Sequence, residues 1–93
     1  MIKVVHLSKK AFKQLEKMPV HIIDKLDTWI EAVELDGLER VGRIPGYHDE
    51  PLKGNRQGER SIRLSKAYRA IYQIQKEGVD EFINIQEVSK HDY

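Results

Sequence analysis

The stretch RSIRLSKAYRAIYQIQ, residues 60–75, constrains the fold more than any other part of the chain. In its first run Ile62 and Leu64 alternate with Ser61 and Arg63. In its second, Ala70, Tyr72 and Ile74 alternate with Arg69, Ile71, Gln73 and Gln75. A period of two is the signature of strands with one buried face. A break near Lys66 and Ala67 separates the runs, so they predict an antiparallel hairpin. One face of that hairpin is apolar and demands a covering layer. The other carries Arg63 and Arg69 on adjacent strands.

The N-terminal half supplies the cover. IKVVHL, Ile2 to Leu7, is β-branched and reads as a strand. Ser8 offers a helix N-cap, and Ala11, Phe12 and Leu15 continue at helical spacing, predicting a helix over about Lys9 to Lys17. Pro19 ends it and suits the start of a second helix. There Ile22, Ile23, Leu26, Trp29, Ile30 and Val33 share a face, and Asp24, Lys25, Asp27, Glu31 and Glu34 mostly occupy the other. Gly37 is a natural C-terminal cap, and a helical turn follows over Leu38 to Val41. GRIPGYHDEP reads as an ordered loop and GNRQG as a turn. After a further turn at Gly78, EFINIQEV makes the last strand. Ile83 and Ile85 share a parity that Val88 breaks, so a bulge is expected near Gln86 or Glu87. The predicted fold is α+β in the order β-α-α-β-β-β, as one domain over residues 1–93. A helical hairpin covers one face of a twisted, mainly antiparallel four-stranded sheet.

Composition narrows the function classes. No apolar run approaches the roughly 18 residues of a membrane span. The N-terminus MIKVVHLSKK meets charge too soon for a secretory signal. With no cysteine, a disulfide frame and thiolate chemistry are excluded, and a cytoplasmic, bacterial-type protein is expected. The net charge of +1 hides an asymmetry. Acids crowd Asp24 to Glu39, and bases dominate from Lys53 to Lys76. Such a basic band is either a solvated strand face or an attractor of phosphates.

Arg63 and Arg69 are the first candidates for chemistry. Two permanently charged planar forks on one face can hold a phosphate or stabilise charge developing on it. Alternatively each pairs with an acid such as Glu87. Lys53, Arg56 and Arg60 suit backbone phosphates of a polyanion, or are simply solvated. Glu50, in a proline-anchored loop beside these cations, can accept a proton; alone it reads as a surface acid. His91, Asp92 and Tyr93 close the chain directly after a strand, where a histidine can titrate near neutrality and a tyrosine can stack or donate. Terminal residues more often only fray. His48 is a second, weaker loop histidine, and His6 and His21 read as structural. No spacing of ligand residues suggests a metal, no glycine-rich nucleotide loop is present, and no cofactor or small-molecule ligand is expected.

EPLKG before the basic strands, RSIRLSKAYRAIY across the hairpin and the terminal KHDY together resemble the RelE/ParE superfamily of bacterial toxins from type II toxin–antitoxin systems. The resemblance spans nearly the whole chain. RelE, YoeB and HigB members cleave mRNA in the ribosomal A site, whereas ParE members share the fold and inhibit DNA gyrase. The YoeB pattern fits best. It implies Glu50 as general base, Arg69 as the phosphate-stabilising group and Arg63 as a basic partner. The terminal histidine and tyrosine fall on His91 and Tyr93. Asp92 separates them here, whereas the pattern has them adjacent, so the general acid stays open among these residues. The resemblance further implies a cognate antitoxin and the ribosome with its A-site mRNA as partners. A gyrase inhibitor needs none of this acid–base set, and a non-catalytic nucleic-acid or ribosome-binding module would use its cations collectively.

Overall fold

The computed structural model describes residues 1–90; His91, Asp92 and Tyr93 lie outside the described residues. The elements are β1 (Val5–Leu7), α1 (Lys9–Leu15), α2 (Val20–Asp36), α3 (Leu38–Val41), β2 (Glu50–Pro51), β3 (Arg60–Arg63), β4 (Tyr68–Glu77) and β5 (Asp80–Lys90), with single 3-10 turns at Pro45–Tyr47 and Gly54–Arg56. Ser8 caps α1, its Oγ accepting from Ala11 N at 3.0 Å. Pro19 stands at the N-cap of α2, and Gly37 ends that helix at φ 88°. A Cβ on Gly37 would also lie 3.2 Å from that of Met1, so both conformation and space require glycine there.

The sheet has five strands in the order β1-β5-β4-β3-β2; β1 runs parallel to β5 and the other pairs are antiparallel. The fifth strand is the addition to the expected four. β2 is Glu50–Pro51 alone, too short to show a period and so read as loop. The predicted first strand shortens to Val5–Leu7 and the first helix ends at Leu15, since periodicity does not fix element ends. The central hairpin turns over residues 64–67, not two residues, and Ser65 Oγ accepts from the amides of Ala67 and Tyr68.

Ile22, Leu26, Trp29 and Val33 of α2 pack with Ile62, Leu64, Ala70, Tyr72, Ile83, Ile85 and Val88 in one core between helices and sheet. The bulge falls at Gln86: Tyr72 pairs with Ile85 and Ile71 with Glu87, so Gln86 is skipped and Val88 regains the buried face. β1 reaches only as far as Ile85 on β5. Beyond it α1 takes over the strand edge, where Gln14 Oε1 accepts from Val88 N at 2.8 Å. Ile74, expected in the core, is 39% exposed, because β4 outruns its cover toward the Gly78 turn. Ile71, on the cationic face, is fully buried. Among the described residues no helix is long and apolar enough to cross a membrane.

Candidate functional site

The face opposite the helices holds a hollow of about 130 Å³ at the hairpin end of β3 and β4, lined among others by His48, Glu50, Ser61, Arg63, Lys66, Tyr68 and Arg69. The Glu50, Arg63 and Arg69 side chains arrive by strand geometry. Arg63 and Arg69 are direct cross-strand partners. Glu50 pairs with Ser61, two residues before Arg63 and on the same face. The carboxylate and the two guanidinium groups of the expected site thus share one hollow. His48, in the left-handed conformation at φ 47°, joins them as the C-cap of the Pro45–Tyr47 turn. The described residues give Arg63 and Arg69 no carboxylate partner, and Arg69 Nε is buried without a hydrogen bond. Glu87, the acid considered for them, is taken by Lys10 at 3.1 Å and Arg56 at 3.3 Å.

The other cations sort differently. Arg56, expected to meet phosphates, is instead held by Glu59 at 2.9 Å and by Glu87. Its hydrogen bonds to the Glu59 and Glu87 carboxylates push its pKa further up. Burial would raise the Glu87 pKa, but donation from Arg56 and Lys10 outweighs it and holds the carboxyl below its ordinary value. Arg60, also expected at phosphates, donates from Nε to Asp49 Oδ1 at 2.8 Å. Burial opposes its charge, yet that bond and the Asp49 charge raise its pKa on balance. Lys53 is exposed and does not line the hollow. His91, Asp92 and Tyr93, expected to complete the site, lie outside the described residues.

Asp49 escaped the sequence reading. Its side chain is 2% exposed and accepts from Tyr72 Oη at 2.6 Å as well as from Arg60. Burial, with the Asp49 carboxylate beside it, pushes the Tyr72 phenol far above its ordinary pKa. The signal was parity. Arg60 shares the register of Ile62 and Leu64, so it points away from Arg63 toward the helix side. Among the described residues no three His, Asp or Glu side chains gather as a metal site requires. A larger groove, about 760 Å³, lies between the N-terminal segment and the β4–β5 turn, but Glu39, Glu77, Asp80 and Glu81 line it and would repel a phosphate.

No protein-family model and no curated protein sequence matches the chain. Solved structures do. The YafQ structure from E. coli strain BL21(DE3) superposes with a TM-score of 0.74 at 14% identity, over 96% of this chain and 93% of that one. A YoeB/ParE toxin from Agrobacterium tumefaciens gives 0.69 at 18% identity, over 96% and 99%. The toxin–antitoxin complex RelBE2 from Mycobacterium tuberculosis gives 0.66 at 22% identity, over 98% and 100%. The fold is that of the RelE/YoeB-like toxins. Within the RelE/YoeB-like fold the paired arginines and the Glu50 carboxylate stand on the sheet face left open by the helices.

Proposed function

We propose that this protein is the toxin of a type II toxin–antitoxin system and acts as a ribosome-dependent mRNA endonuclease. The observation that carries the reading is the convergence of Glu50, Arg63 and Arg69 on one hollow, with both guanidinium groups free of carboxylates among the described residues. A phosphodiester entering that hollow meets two permanent charges and a base.

The nucleophile is the substrate's own 2′-OH. Glu50 takes its proton as the oxygen attacks phosphorus. Arg69, with Arg63, balances the additional charge on the phosphoryl oxygens. The bond from phosphorus to the 5′-oxygen breaks, and a group among His91, Asp92 and Tyr93 protonates that oxygen. The products are a 2′,3′-cyclic phosphate and a free 5′-hydroxyl. An internal nucleophile removes the need for a metal-activated water. The ribosome supplies in-line alignment of the mRNA, a contribution of proximity and orientation rather than of side-chain chemistry. An antitoxin protein is the natural restraint, and the RelBE2 relative was itself solved as a toxin–antitoxin complex.

The test is a reconstituted translation reaction with mRNA ends mapped by primer extension. Wild-type protein should cut within the A-site codon. Arg69→Ala should lower the cleavage rate by about 10²–10³-fold with an unchanged circular dichroism spectrum. Full activity in Arg69→Ala would sink the assignment. Inhibition of gyrase supercoiling without mRNA cleavage would replace the nuclease with a ParE-like activity.

A further inference from the structure

Asp49 and Glu50 are adjacent carboxylates that leave the chain on opposite faces. Asp49 turns inward to Arg60 and Tyr72; Glu50, the first residue of β2, turns into the hollow. The inward side is unusually well anchored. Arg60 and Tyr72 are themselves cross-strand partners on β3 and β4. Tyr72 is 1% exposed and packs its ring on Trp29, centroids 5.4 Å apart. The Asp49 main-chain carbonyl also accepts from Arg60 Nη2 at 3.4 Å. By contrast, β2 is two residues long, ends in a proline and stands at the sheet edge, so its own pairing holds Glu50 weakly.

We propose that Asp49 is the positioning residue for Glu50: its carboxylate, clamped by Tyr72 Oη and Arg60 Nε, fixes the backbone from which the Glu50 carboxylate reaches the scissile phosphate. This rests on the reading of Glu50 as the base. A one-residue lever of this kind is effective because rotation at Asp49 moves the Glu50 carboxylate directly. A displacement near 1 Å is enough to cost a proton transfer about 10²-fold.

The experiment is a double-mutant cycle on single-turnover A-site cleavage, measured across ribosome-complex concentrations. Tyr72→Phe keeps the ring on Trp29 and deletes one of the two clamps. It should lower the saturating rate by about 10–100-fold and leave the half-saturating concentration unchanged. In a Glu50→Gln background, already slow, the same change should have no further effect, because there is no base left to place. Asp49→Asn should behave like Tyr72→Phe in both backgrounds. Two results overturn the inference alone: a wild-type rate in Tyr72→Phe, or an equal loss in both backgrounds. A wild-type rate in Glu50→Gln overturns the inference together with the assignment of Glu50 as the base, while the cleavage itself would still report a nuclease. No cleavage by the wild-type protein is the result that removes the nuclease reading. Unfolding curves on every variant verify that the folded fraction is the same at assay temperature.

Discussion

Arg60 and Arg63 stand three residues apart, in the same strand, with the same charge, and do different things. Alternation in β3 decides it: Arg63 follows Ser61 onto the open face, and Arg60 follows Ile62 and Leu64 toward the core. Their common charge drew both into one basic band when read in sequence, although the parity that separated them was already visible. Asp49 was harder to see, since a single acid in a loop has no period and its partners lie 11 and 23 positions away. Glu50 was visible as a carboxylate beside the cations but read alone as a surface acid, and only the resemblance of EPLKG to a known pattern singled it out as a base. A structural role for Arg60 makes a distinct prediction. Arg60→Ala leaves the buried Asp49 carboxylate with Tyr72 as its remaining side-chain donor, and should lower unfolding stability by about 1–3 kcal/mol in urea titration. An unchanged midpoint would mean that the Asp49 pair is not structural.

At the scale of elements, the bulge was legible and the ion-pair network on Glu87 was not. Ile83, Ile85 and Val88 all need the core, and two parities on one strand permit this only with an extra residue, which is Gln86. That skipped residue places Glu87 on the open face opposite Ile71, where it gathers Lys10 from α1 and Arg56 from the Gly54–Arg56 turn. Nothing local announces a contact between positions 10, 56 and 87. It exists because α1 covers the edge of β5 and the turn folds back on the sheet. Glu87→Gln therefore tests whether this network holds the turn. The folded-state pKa of Glu87 is depressed. Its contribution is present above the ordinary glutamate pKa of about 4.3 and is lost as pH falls through the lower folded value. The variant should be less stable than wild type by about 1 kcal/mol at pH 7, and the gap should close below pH ~4. Thermal unfolding at both pH values measures it. A gap that persists in acid would mean that packing of the side chain, not its charge, supplies the stability.

Over the whole molecule, charge is unevenly placed. α2 carries Asp24, Asp27, Glu31, Glu34 and Asp36, while Lys53, Arg56, Arg60, Arg63, Lys66 and Arg69 crowd the hairpin and the loop before it. This placement, the order of elements and the covered face all follow from the pattern of residues. Which cations remain available does not, because pairing is set by tertiary proximity: Arg56 and Arg60 hold carboxylates, and Arg63 and Arg69 hold none among the described residues. The distinction can be measured through counterion release. A cation that meets an RNA phosphate contributes about 0.7 to the slope of log affinity against log salt for a single strand, whereas one already neutralised by protein carboxylates contributes little. Binding of a single-stranded RNA oligonucleotide, followed by fluorescence anisotropy between about 50 and 200 mM salt, should show the slope reduced by about 0.7 in Arg63→Gln and nearly unchanged in Arg56→Gln. Equal reductions would mean that Arg56 exchanges Glu59 and Glu87 for phosphate on binding, and that the basic band acts as one field instead of through the two arginines of the hollow.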